Sequence, residues 1–124
     1  MENDLKYVPL DDLTVESIQA ILNGDNLKDI LRLPLSVGMN HPNWRFAQDI
    51  CIRLAKSSDI RIRANALRGL EYVAMTKGKL EKHLVKPLLI DALRSEYKEE
   101  LDIVHIVKKI NRYLNWKIAI LGNP

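Results

Sequence analysis

The sequence predicts an all-α protein of five to seven antiparallel helices. Apolar residues recur at the i, i+3, i+4, i+7 spacing of one helical face, and glycines and prolines fall mostly between those segments. No segment reads clearly as a strand. Short turns between helices of ordinary length make successive helices antiparallel neighbours by geometry.

Thr14 caps a first helix over 14–23, which Gly24 ends. Asp25 caps a second over 25–34. The string Leu33-Pro34-Leu35-Ser36-Val37-Gly38 then predicts a break, because proline removes a helical donor and crowds the preceding turn. A third helix, 41–56, starts at Asn40 or His41 and places Pro42 at its first position, where a missing N–H costs nothing. Ala47, Ile50, Cys51 and Leu54 form its buried stripe, so Cys51 belongs to the core.

Ser57-Ser58-Asp59 caps the fourth helix, 59–76, which buries Ile62, Ala66, Gly69, Leu70 and Val73. Ala66 and Gly69 allow a neighbouring helix to come close, which accounts for a mid-helix glycine that costs about 1 kcal/mol relative to alanine. Lys77-Gly78-Lys79 is the next turn. In the fifth helix, 80–94, Pro87 divides a short first turn from the better-formed stretch Leu88 to Leu93. The last helix, 98–114, carries Leu101, Val104, Ile106, Val107, Ile110 and Leu114. A tail follows over 115–124, within which 116–121 is a candidate extended segment.

The 124 residues make one domain, 1–124, large enough to bury roughly two thirds of its unfolded surface without a disulfide or metal. A single cysteine excludes an internal disulfide framework and a multi-cysteine zinc site, and it favours a reducing, cytoplasmic setting. Residues 1–12 lack the apolar core of a signal peptide, and no apolar run approaches membrane-spanning length. The net charge of +3 is unevenly spread. Residues 1–50 hold four basic and eight acidic residues, whereas 51–124 hold fifteen basic and eight acidic, an asymmetry suited to steering a charged partner.

Asp59, Ile62-Arg63, Ala66, Gly69, Leu70 and Val73 follow the pattern of the first helix of a HEAT-like repeat, and Leu84-Val85-Lys86-Pro87-Leu88-Leu89 resembles the second. Four further strings strengthen the match: His41-Pro42-Asn43-Trp44, Ala47-Gln48-Asp49, Arg63-Ala64-Asn65-Ala66 and Gly78-Lys79-Leu80. With these and the 33–38 string, the stretch 31–116 resembles a family of small bacterial HEAT-like proteins. Its members resemble cytoplasmic immunity proteins of contact-dependent growth inhibition and related polymorphic toxin systems. The resemblance implies a HEAT-like α-α superhelix, a short solenoid. It also implies a protein that binds and neutralises one cognate toxin domain, often a nuclease, by stoichiometric occlusion. Lys108 and Lys109 stand where such relatives carry carboxylates, which changes the charge presented to a partner.

The residues themselves offer no catalytic set. His41, His83 and His105 lie in separate segments without a second ligand at helical spacing, and no phosphate-cradling loop or nucleophile elbow is present. Adjacent acids such as Glu99-Glu100 point about 100° apart on a helix. The expectation is therefore a non-enzymatic binder with no cofactor, no metal, no small-molecule substrate and no membrane. Its candidate partner-binding residues are His41, Asn43, Arg45, Asp49, Glu71, Tyr72, Lys77, Lys79, Lys108 and Arg112. Tyr72 lies off the buried stripe beside Glu71, so both are expected to face outward. Trp44 is assigned to the core. Two alternatives stand beside this reading: a HEAT-like nucleic-acid-binding protein using the basic stripe 53–94, and a generic helical adaptor.

Overall fold

The computed structural model describes Leu10, residues 13–99 and residues 101–120. Those residues form six helices and no strand: α1 (Val15–Asn23), α2 (Leu27–Asn40), α3 (Trp44–Leu54), α4 (Ile60–Lys77), α5 (Lys82–Leu93) and α6 (Ile103–Leu114).

Four of the helices start at a side-chain cap. The backbone N–H groups of Ser17, Asp29, Phe46 and Arg61 donate to Thr14, Asn26, Asn43 and Asp59 respectively, at 2.9–3.2 Å. Two of these caps correct the sequence reading. Asn26 rather than Asp25 starts α2, and the Asn43 cap leaves Pro42 outside α3. Arg61 also donates to both carboxylate oxygens of Asp59, and these side-chain bonds hold that carboxyl down at about 2.

The expected break at 33–38 does not occur, because α2 runs on through Pro34 and Gly38 to Asn40. Burial outweighs local preference here. Leu33 and Val37 are fully buried on the core side of α2, and Asn65 Nδ2 from α4 donates to the Leu31 carbonyl at 2.9 Å, in the turn that Pro34 disturbs. The fifth helix is likewise continuous through Pro87, which lies on its exposed side between the fully buried Val85 and Leu89. The last helix begins at Ile103 rather than 98. Asp102 adopts a left-handed backbone (φ 61°) that interrupts helical propagation, and residues 95–99 and 101–102 run as bend and turns. Residues 116–120 are neither helix nor strand, and 121 lies outside the described residues.

The central element is α4, which packs on α2, α3 and α6, while α2 also meets α1 and α3 and α6 meets α5. Contacts between helices two apart, α2 with α4 and α4 with α6, place these three in one layer. That is a packing compatible with a short solenoid. The α2 and α4 backbones come close together where Gly38 of α2 faces Gly69 of α4. A methyl built on Gly69 would stand 2.6 Å from the Pro34 oxygen and 2.7 Å from Cys51 Sγ, and one on Gly38 would stand 2.5 Å from the Gly69 oxygen. As the sequence predicts, Gly69 permits close helix packing and Cys51 is core. Its thiol is fully buried, and burial pushes its ionisation far above the ordinary range. Among the described residues no helix is long and apolar enough to cross a membrane.

Candidate partner-binding surface

One end of the helical layer collects most of the residues that the sequence singles out. The end of α2 is fastened to the end of α4 by the Thr76 hydroxyl, which donates to the Gly38 carbonyl at 3.0 Å. The start of α3 is fastened to the start of α5 through Gln48, a fully buried amide. Its Oε1 accepts from Glu81 N–H at 2.6 Å and its Nε2 donates to Glu81 Oε1 at 2.7 Å. Glu81 is the first-turn cap residue of α5 and makes no side-chain cap bond of its own, so Gln48 fixes where that helix begins. The chain after α6 reaches the same end, with Lys82 Nζ 5.7 Å from the centre of the Trp116 ring.

On this frame sit His41, Asn43, Arg45, Asp49, Tyr72, Lys77 and Lys79. The His41 ring tilts against Phe46 at 4.9 Å, and its Nδ1 accepts from the Asn43 N–H at 3.0 Å. Asn43 is exposed but already spends its side chain capping α3. Arg45, 62% exposed at its side chain, lies over the half-buried Trp44 ring at 4.9 Å and reaches Glu81 at 3.6 Å. Its guanidinium is thereby held by an aromatic face and a carboxylate while its edge stays open to water. Asp49, Lys77 and Lys79 are exposed. Tyr72 is half-buried, its Cβ standing next to Gly38.

Glu71 does not face outward. It is 5% exposed, because α4 is covered on two sides, by α2 and α3 on one and by α6 on the other. Its Oε1 has no hydrogen-bond partner, and burial raises its ionisation above the ordinary carboxylate value against the opposing attraction of Arg68, Lys109 and His105. Arg68 itself pairs with Asp102 at 3.5 Å, across the α4–α6 seam. Glu71 is therefore a buried acid between helices and not a surface contact. Lys108 and Arg112 are exposed on α6. Arg112 lies in its last turn, close in sequence to Trp116, whereas Lys108 lies one turn further back.

Several residues at this end carried no functional signal in the sequence. Met39 and Met75, in the last turns of α2 and α4, are 37% and 42% exposed; Trp44, which the sequence assigns to the core, is only half-buried. The sequence gives Gln48 and Glu81 no link to one another, and the fold brings them together across 33 positions. The basic residues of the 53–94 stripe are spread apart. Arg61 and Arg63 lie near the start of α4 and Lys77 at its end, about 20 Å away along the helix axis. No three His, Cys, Asp or Glu side chains are grouped to hold a metal among the described residues. Compared with protein-family models, curated proteins and solved structures, the chain matches none.

Proposed function

We propose that this chain is a protein-binding module that acts by stoichiometric occlusion, as an immunity protein does against a cognate bacterial toxin domain such as a nuclease. The observation that supports the reading best is the helix-end surface. Arg45 stacked on Trp44, the half-buried Tyr72 and the exposed Met39 and Met75 sit on helix ends tied together by part-buried hydrogen bonds. Aromatic, methionine and arginine side chains are enriched at protein interfaces, and a rigid frame reduces the ordering cost of binding. The toxin identity rests on the sequence resemblance alone. Lys77 and Lys79 on the same end would favour an acidic partner surface and speed its approach.

The test is co-expression with the toxin encoded by a neighbouring gene, followed by affinity capture. Survival of the host and recovery of a one-to-one complex are expected, with Arg45→Ala and Tyr72→Ala each weakening the complex tenfold or more. A toxin that stays lethal, or a complex indifferent to both substitutions, overturns the proposal. A complex that instead contains nucleic acid and dissolves with salt would favour the nucleic-acid reading.

A further inference from the structure

Sulfur is unevenly placed among the described residues. Cys51 is fully buried, whereas Met39 and Met75 are exposed at the ends of α2 and α4. The third methionine of the chain, Met1, lies outside the described residues.

The two exposed methionines belong to one patch. Helices α2 and α4 run parallel, since Asn65 reaches the Leu31 carbonyl at one end of their seam and Thr76 reaches the Gly38 carbonyl at the other. Met39 follows Gly38 by one residue, and Met75 precedes Thr76 by one. From two positions that face each other, a step of about 100° forward on one right-handed helix and about 100° backward on its parallel neighbour points both side chains to the same side of the seam. Tyr72, one turn before Thr76, stands at the same seam with its Cβ next to Gly38.

Access and ionisation divide these sulfurs chemically. A thiol reacts with a peroxide as its thiolate, whereas a thioether needs no deprotonation. Burial denies Cys51 both conditions, because it encloses the sulfur and pushes the thiol far above its ordinary range. Met39 and Met75 carry neither restriction.

We propose that Met39 and Met75 form a reversible oxidation site, at which a peroxide makes this end of the helical layer polar while the core thiol is spared. A sulfur lone pair attacks one peroxide oxygen, an S–O bond forms and the O–O bond breaks. The proton on the transferred oxygen passes to the departing hydroxide, which leaves as water; sulfur is oxidised by two electrons and the peroxide reduced. The sulfoxide replaces a flexible apolar thioether with a polar, chiral group, a change that disrupts methionine-bearing interfaces. A dithiol acting through the methionine sulfoxide reductases reverses the step, giving back the thioether and water and becoming a disulfide. The oxidation stands on the sulfur geometry alone, whereas its effect on binding rests on the partner-binding reading.

The experiment treats the full folded chain with dilute hydrogen peroxide, removes the peroxide with catalase and locates the added oxygen by peptide mass spectrometry. Met39 and Met75 should each gain one oxygen and Cys51 none, with an unchanged melting temperature. Oxygen arriving on Cys51 as fast as on the methionines, or on the methionines only in denaturant, overturns the site. The oxidised chain should capture at least tenfold less of the neighbouring gene's toxin than the untreated chain, and reductase with dithiothreitol should restore the capture. For Met39→Leu with Met75→Leu, treated and untreated samples should capture equally. Capture by the parent that survives full oxidation of both methionines overturns the effect on binding. An untreated chain that captures nothing counts against the immunity reading, and the oxygen map then decides for or against the site.

Discussion

Replacing Gly69 by alanine reverses the ordinary effect of that substitution in a helix. In an exposed helix the change adds about 1 kcal/mol of stability, because alanine loses less backbone freedom on folding. At this position the new methyl meets the Pro34 oxygen at 2.6 Å, the Pro34 carbonyl carbon at 2.9 Å and Cys51 Sγ at 2.7 Å. Comfortable contact needs about 3.5 Å, so α2 must retreat from α4 by about 0.5–1 Å, a gap that forfeits a quarter to a half of the attraction across the affected contacts. Two of the obstructing atoms are backbone, which no rotamer change moves aside. Overpacking of this kind costs about 3 kcal/mol at the upper end of its usual range, and the gain in helix propensity leaves a net loss of about 2 kcal/mol. Urea denaturation followed by far-UV circular dichroism should show that loss, and the melting temperature should fall by about 6–12 °C. In a Cys51→Ala background the loss should shrink by about half a kcal/mol or more, since one obstruction is gone. A Gly69→Ala protein as stable as its parent would refute the close-crossing argument.

Three further outcomes follow from the polar groups. Gln48→Ala removes both bonds to Glu81 and leaves a small cavity at a fully buried position, and a loss of about 2–3 kcal/mol is expected in the same urea experiment. Burial raises the ionisation of Glu71 in the folded chain, so folding binds a proton there and the acid destabilises most above its folded titration. Glu71→Gln should therefore melt higher than the parent at pH 7. The gap should close as the pH falls through the folded titration and be gone below about 4.3, the unfolded value. A lower melt for the glutamine variant at pH 7 would mean that attraction to Arg68 and Lys109 outweighs desolvation. Tyr72→Ala should leave urea stability within about 1 kcal/mol while weakening the captured complex, because the ring is only half-buried. A larger stability loss would return Tyr72 to the core.

Helix existence was legible because it rests on local periodicity and capping. Thr14 and Asp59 act as caps where the sequence places them, and Gly78 ends α4 in the left-handed conformation that a glycine adopts freely. What sequence missed depends on partners distant in the chain. Pro34 reads as a breaker because its cost is local, while the compensation comes from Asn65, whose side chain reaches the Leu31 carbonyl across 34 positions, and from the burial of Leu33 and Val37. Asp102 gives no warning of its left-handed backbone. Glu71 reads as surface because one stripe of α4 was counted as buried, whereas a central helix is covered on two faces. For the candidate site, His41, Arg45, Tyr72 and Lys79 were legible as residue types suited to an interface. The Gln48–Glu81 clasp that gathers them was not, since nothing in the local sequence of either residue points to the other, 33 positions away. The course of residues 116–120 was equally hidden, because it is set by the paired bonds from Asn111 to Ile118 and by the burial of Ile118.

The single thiol gives the protein a built-in reporter of its own opening. Cys51 is wholly enclosed, with Sγ directed at the Pro34 carbonyl at 3.7 Å and against the Gly69 backbone, so α2, α3 and α4 must part before any reagent reaches it. Its rate of alkylation under native conditions therefore counts excursions in which the central seam separates and ignores fraying at the helix ends. Measured beside circular dichroism, that rate distinguishes a chain that opens as one cooperative unit from one that sheds α5 and α6 first.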